Sequence, residues 1–160
     1  MTFIDSYTFQ DCWDLKNVVI PANTTQIGKY AFSNCYSLKS MVVSSSTPPV
    51  FGETTLNDAC TIFVPNNSVE TYKAAEGWST FADRIQPQTG WTFTAAVPCG
   101  EGTADLTFKV TSANPWEVEV SASPEDIAGA LTIPATVQNE SGIEFAVKRI
   151  ADWVSVDDKV

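Results

Sequence analysis

The sequence predicts a mixed α/β solenoid of short repeats closed by a helical cap, followed by a mostly antiparallel β region. Three observations carry this: a block of apolar and cysteine positions that recurs at a fixed interval, a capped helical segment after the last recurrence, and a change to strict alternation beyond residue 90. Ile4, Phe9, Cys12, Leu15, Lys16, Val18 and Ile20 recur 23 residues later as Ile27, Phe32, Cys35, Leu38, Lys39, Met41 and Val43. The pairs Tyr7-Thr8 and Tyr30-Ala31 keep the same offset. A unit this short cannot cover its own apolar side, so neighbouring units must stack and share one core.

Each unit combines two periods. Ile4, Thr8, Phe9 and Cys12 are spaced as a helical or 3₁₀ stripe, whereas Val18 with Ile20, and Met41 with Val43, alternate as a strand does. One coil is therefore expected to be strand, turn and short helix. A third coil is expected around Thr61-Ile62-Phe63-Val64-Pro65, which repeats the strand-then-proline ending of Val18-Val19-Ile20-Pro21. Proline has no N–H with which to continue a ladder.

Beyond Pro65, Asn67 or Ser68 is placed to cap a helix. Glu70 stands three residues after Asn67, as in a capping box. The helix is expected to run to about Glu76 and stop at Gly77, with Trp78, Phe81 and Ile85 as an apolar plug over the last rung. Gln86-Pro87-Gln88-Thr89-Gly90 is the domain boundary, giving residues 1–86 and 87–160.

The pattern Ile-x-x-x-Ala-Phe-x-x-Cys-x-x-Leu-Lys-x-Met-x-Val from Ile27 to Val43 resembles the BspA-like leucine-rich-repeat family of bacterial surface proteins. Thr47-Pro48-Pro49, Ile62-Phe63-Val64-Pro65, Tyr72 and Gly77-Trp78 extend the resemblance, which covers roughly residues 3 to 86. It implies a right-handed leucine-rich-repeat solenoid, export to the cell surface or medium, and adhesion or host contact.

In the second region, Trp91–Thr94, Leu106–Val110 and Trp116–Val120 alternate cleanly, and Asn114-Pro115 favours a hairpin between the last two. Leu131-Thr132-Ile133-Pro134 is expected to pair with Phe145–Ile150 across Asn139 to Gly142. This resembles the strands with which such repeat arrays begin. Val154 and Ser155 then stand where Ala and Phe are expected, and Asp158 where Cys is. The region is thus expected to lead into a truncated second array. Ends cut inside a repeat expose unpaired strands, so head-to-tail self-association through them is expected.

Composition narrows the function. At 44% hydrophobic and 18% charged residues the chain is globular rather than disordered. Nine basic against nineteen acidic residues give a net charge of -10, which repels nucleic acid. No apolar run approaches the roughly 20 residues of a membrane helix, so no membrane insertion is expected. The absence of histidine removes the usual general base and the commonest transition-metal ligand.

Cys12, Cys35, Cys60 and Cys99 form no Cys-x-x-Cys pair. No metal or other cofactor is expected, and Cys12 and Cys35 should stack as small buried groups. Disulfides between Cys60 and Cys99, or within the stacked pair, are left open by the sequence. Glu117 and Glu119 fall about 7 Å apart on one strand face, a separation suited to inverting glycosidases. The flanking Val118 and Val120 explain them more simply as the solvated side of an amphipathic strand. Asp157-Asp158 lacks the oxygen pattern of a calcium loop. Gly100 and Gly102 flank a glutamate and lack the Lys-Ser/Thr ending of a phosphate loop, so they read as a turn. The chain is expected to be no enzyme.

The expected contact surface is the outward face of the repeat strands. Asn17, Ser40 and Thr61 should form a polar column beside an apolar column of Val19, Val42 and Phe63, because side chains alternate across a strand. The expected partner is a host or bacterial surface protein or a glycan. The alternative is a structural spacer or assembly unit with no ligand of its own, its apolar column covered internally.

Overall fold

A computed structural model describes residues 2–53, 56–122 and 130–151, and the chain divides into two compact units, Met1–Gln88 and Thr89–Val160. The expectations placed on Val154, Ser155, Asp157 and Asp158 lie outside the described residues.

The first unit is a repeat fold made mostly of strands and turns. Strands β1 (Thr2–Ile4), β3 (Thr24–Ile27) and β5 (Val50–Phe51) form one parallel sheet. Strands β2 (Asn17–Ile20), β4 (Ser40–Val43), β6 (Thr61–Val64) and β7 (Ile85–Pro87) form a second. The pairing keeps the interval seen in the sequence: Ile4 lies beside Ile27, Val18 beside Met41, and Ile20 beside Val43. Ile20, Ile27, Phe32, Leu38, Met41 and Val43 are buried in one core, with Phe9 and Leu15 packed against it. The Phe9 and Phe32 rings stack at 5.2 Å and 12°, so equivalent side chains do form ladders between rungs.

The short helix expected in each repeat is replaced by a run of tight turns. Tyr7, Asp11, Tyr30 and Asn34 have φ of 58–64°, a left-handed conformation that a right-handed helix cannot contain. Hydrogen bonding explains the choice. Gln10 and Cys12 donate back to the Tyr7 and Phe9 carbonyls within the rung, whereas Tyr7, Phe9 and Asp11 donate across to Lys29, Ala31 and Ser33 of the next rung. A helix would spend all these N–H groups internally and leave the stack without its cross-rung bonds.

Such close stacking demands glycine where rungs touch. A Cβ on Gly28 would lie 2.4 Å from the Ser6 nitrogen and 2.7 Å from the Asp5 carbonyl carbon; one on Gly52 would lie 2.7 Å from the Lys29 nitrogen. Both glycines donate across the rung, to Ile4 and Ile27 at 2.8 Å. Gly28→Ala is therefore expected to cost about 2 kcal/mol, since backbone must move to admit one methyl. Urea denaturation of the two proteins measures it, and equal midpoints would contradict the close approach.

The cap differs in detail from its expectation. A 3₁₀ turn at Asn66–Ser68 leads into helix α1 (Val69–Ala74), which lacks a side-chain cap, so the capping box does not form. Ala75 is extended at ψ 143° and ends the helix before Glu76. Gly77 follows at φ 80°, with Phe51 O too near for any Cβ. The expected plug is present: Trp78, Phe81 and Ile85 are all buried. Trp78 stacks on Phe51 at 4.4 Å, meets Tyr72 edge-on at 5.0 Å, and donates its indole N–H to the Pro49 carbonyl at 2.8 Å. Ile85 also opens β7, so the last rung is closed by a strand as well as by side chains.

The second unit is a five-stranded sheet of β8 (Thr92–Cys99), β9 (Gly102–Ala113), β10 (Trp116–Ala122), β11 (Thr136–Gln138) and β12 (Glu144–Ile150), in the order β11-β12-β10-β9-β8. All neighbours are antiparallel except β10 and β12. Asn114-Pro115 turns β9 into β10 as expected. Gly100 (φ 57°) and Glu101 turn β8 into β9, which agrees with a plain turn there. The expected strand at Leu131–Pro134 is corrected. Leu131 forms an isolated bridge with Cys99, and the strand that pairs with β12 is β11, after Pro134. Phe108, Val118, Val120 and Phe145 are buried.

Candidate functional site

The two expected columns exist in register but are unequally accessible. Asn17, Ser40 and Thr61 are neighbours across β2, β4 and β6, as are Val19, Val42 and Phe63. Asn17 Oδ1 accepts from the Ser40 hydroxyl at 2.8 Å. Val19 is 42% exposed and Asn17 is exposed, while Thr61 is half-buried. Ser40, Val42 and Phe63 are buried, the last two although they do not belong to the core of the repeats. These three have no surface to offer a ligand. The expected contact columns are therefore corrected to their Asn17 and Val19 end.

Exposed aromatic side chains lie instead on the turns. Tyr7, Trp13 and Tyr36 are 55%, 62% and 67% exposed. The left-handed residues of each turn recur between rungs, and so do the aromatic residues beside them. Tyr7 stacks on Tyr30 at 5.6 Å and 25°. Trp13 and Tyr36 stand at the same 23-residue offset, and the Trp13 carbonyl accepts from Ser37 N–H at 3.2 Å. A polar chain ties the same rungs together: Tyr36 donates its hydroxyl to Asn34 Oδ1 at 3.1 Å, and Asn34 donates Nδ2–H to Asp11 Oδ1 at 2.8 Å. Asn57 Nδ2–H donates to the Tyr36 carbonyl at 2.6 Å. Beside Tyr36 lies an open cavity of about 310 Å³ lined by Asn34, Cys35, Leu56, Asn57 and Asp58.

This edge is acidic. The Glu53 carboxylate beside Tyr30 pushes its phenol above the ordinary 10.0. Asp11 and Asp58 add further negative charge. Sequence reasoning noticed the Tyr7 and Tyr30 pair but missed Trp13 and Tyr36. The signal was available as two aromatic residues of different type at one offset.

The other chemistry-bearing residues are structurally engaged. Glu119 accepts from Arg149 at 3.0 Å and lies 4.0 Å from Lys109, and Glu117 lies 3.8 Å from Lys148. Both carboxylates are thus partnered along the sheet. All four cysteines are free thiols, with Cys35, Cys60 and Cys99 buried. The Cys35 thiol donates to the Phe9 carbonyl at 3.1 Å, and burial, with Cys12 beside it, pushes its pKa up.

Burial pushes Cys60 up to about 12 from 9.0 and Tyr72 up to about 12 from 10.0. Both groups hold their protons harder in the folded state than in the unfolded one. The stability they contribute is complete below pH 9 and is lost as pH rises through 12. The urea midpoint of the repeat unit is expected to fall between pH 9 and 11; a flat profile there would exclude tight burial of these two groups. Among the described residues no group of three His, Cys, Asp or Glu side chains is placed to hold a metal, and no helix is long and apolar enough to cross a membrane.

Comparison with known proteins adds one finding. Residues 1–71 match the family model described as a BspA type leucine rich repeat region, in six copies. No curated protein matches the sequence. The ladders of Ile4 on Ile27, Phe9 on Phe32 and Val18 on Met41 are the structural form of that match. Over residues 1–71 the chain is thus similar to the BspA-type leucine-rich-repeat family.

Proposed function

We propose that the chain is a non-enzymatic recognition module, secreted or held at the bacterial cell surface, that binds a protein or a glycan through the aromatic turn edge of its repeat unit. The rungs act as a short solenoid that repeats the same side chains at a fixed spacing. The observation that carries this reading is the exposure of Tyr7, Trp13 and Tyr36 on adjacent rungs, joined by the Asp11, Asn34 and Tyr36 hydrogen bonds. Tyr and Trp dominate binding hot spots because each offers a large rigid face with a polar tip. Their rings also suit the apolar faces of sugars, and the amide and carboxylate groups beside them suit hydroxyls. The acidic surroundings favour a neutral or basic ligand over a polyanion.

The test is an array of glycans and extracellular host proteins probed with the full chain and with a Trp13→Ala/Tyr36→Ala double variant. The expected result is at least a tenfold loss of binding in the variant. Its stability should stay within about 0.5 kcal/mol of the parent, since exposed side chains contribute little to folding. Equal binding by both proteins would remove the turn edge from the ligand site. Absence of any ligand for the parent would favour a spacer or assembly unit.

A further inference from the structure

The five-stranded sheet of the second unit brings its two outermost strands to one cleft. Thr94, Ala95 and Ala96 of β8 and Thr136, Val137 and Gln138 of β11 line a single cavity of about 460 Å³. In the order β11-β12-β10-β9-β8 these strands are four positions apart. A flat sheet would separate them by about 19 Å at 4.8 Å per strand. Sharing one cleft requires the sheet to curl toward itself.

One end of the curl is already joined. Thr132 N–H donates to the Pro98 carbonyl at 3.0 Å, Gly100 N–H donates to the Ala130 carbonyl at 3.0 Å, and Leu131 bridges Cys99. The other end is open: among the described residues no strand pairs with the outer edge of Thr92–Val97, or with that of Thr136–Gln138.

Open edges normally carry a charge, a bulge or a covering element, because their unpaired N–H and C=O groups recruit other strands. Neither β8 nor β11 contains a charged residue, the proline of β8, Pro98, lies at the joined end rather than along Thr92–Val97, and β8 pairs with β9 from Thr92 to Cys99 without a register shift. We propose that this cleft is a β-augmentation site, where an extended segment of a partner polypeptide inserts between β8 and β11 and closes the sheet. A strand residue fills about 160 Å³, taking a 3.3 Å rise, 4.8 Å strand spacing and 10 Å sheet thickness. The cavity thus holds about three residues, the length of β11.

Both walls offer backbone donors and acceptors at the peptide repeat, which a glycan cannot match on two sides at once. Glu140 is the charged residue of the lining, and the chain carries a net charge of -10, so the segment is neutral or basic rather than acidic.

The experiment follows amide hydrogen exchange of the ¹⁵N-labelled full chain by NMR. The probes are blocked six-residue peptides of alternating Thr-Val, Lys-Val or Glu-Val sequence, and a Thr-Val peptide methylated on alternate backbone nitrogens. Thr-Val and Lys-Val peptides should slow exchange at least tenfold in both Thr92–Val97 and Thr136–Gln138. The Glu-Val peptide should do so less, and the methylated peptide not at all. The proposal is overturned by slowing at one edge alone, by an equal effect of the methylated peptide, or by no response to any peptide. Edges already protected in the free chain would also overturn it, since its own residues would then fill the cleft.

Discussion

Trp78→Ala is expected to destabilise the repeat unit by about 4 kcal/mol, the size of effect seen when a large aromatic group is deleted from a core. Trp78 is buried, with Phe51 stacked on one side and Tyr72 meeting it edge-on. Its indole also holds the Pro49 carbonyl, which truncation would leave buried without a donor. Trp78→Phe separates the two contributions: it keeps a ring between Phe51 and Tyr72 but loses the hydrogen bond, and is expected to cost about half as much. Urea unfolding with exchange protection at Ile62 and Val64 reports on the rung it covers. A loss below about 1 kcal/mol for Trp78→Ala would mean that the plug is not what closes the stack.

Phe63→Asp and Val19→Asp are expected to diverge, although the two residues occupy one register column. Phe63 is 1% exposed, so an aspartate there is a buried charge. The expected cost is about 3 kcal/mol or more. Val19 is 42% exposed, and Val19→Asp should stay within about 0.5 kcal/mol. Thermal melts of the two variants decide the matter. Similar melting temperatures would restore the whole column as a candidate contact face and weaken the case for the turn edge.

Much of the repeat unit is legible in the sequence. Phe9 and Phe32, Ile4 and Ile27, and Val18 and Met41 could be paired from their common interval alone, and each pair proves to be adjacent. The helices were misread because Ile4, Thr8, Phe9 and Cys12 have helical spacing, while the feature that forbids a helix is the φ of Tyr7 and Asp11. Tyr7 and Tyr30 give no warning of a left-handed backbone, whereas Asp11 and Asn34 are of the residue types that adopt it and carried the signal at the second position of each turn. Asn67 and Glu70 have capping-box spacing, but a 3₁₀ turn occupies Asn66–Ser68, which moves the helix start to Val69. Leu131–Pro134 reads as a strand by composition, yet β11 begins after Pro134.

The candidate site divides along the same line. Register places Ser40 beside Asn17 and Phe63 beside Val42, as the alternation required. Exposure does not follow from register, because it depends on what lies over a face rather than on which face a residue takes. The sequence by itself determined the interval of the stack, the residues that form its interior ladders and the change to alternating strands beyond residue 90. Only the tertiary structure decided that Val42 and Phe63 are covered, that Trp13 and Tyr36 remain in solvent, and that β8 and β11 share a cleft. Periodicity is a property of neighbours along the chain, whereas burial and strand adjacency are set by segments far apart in sequence.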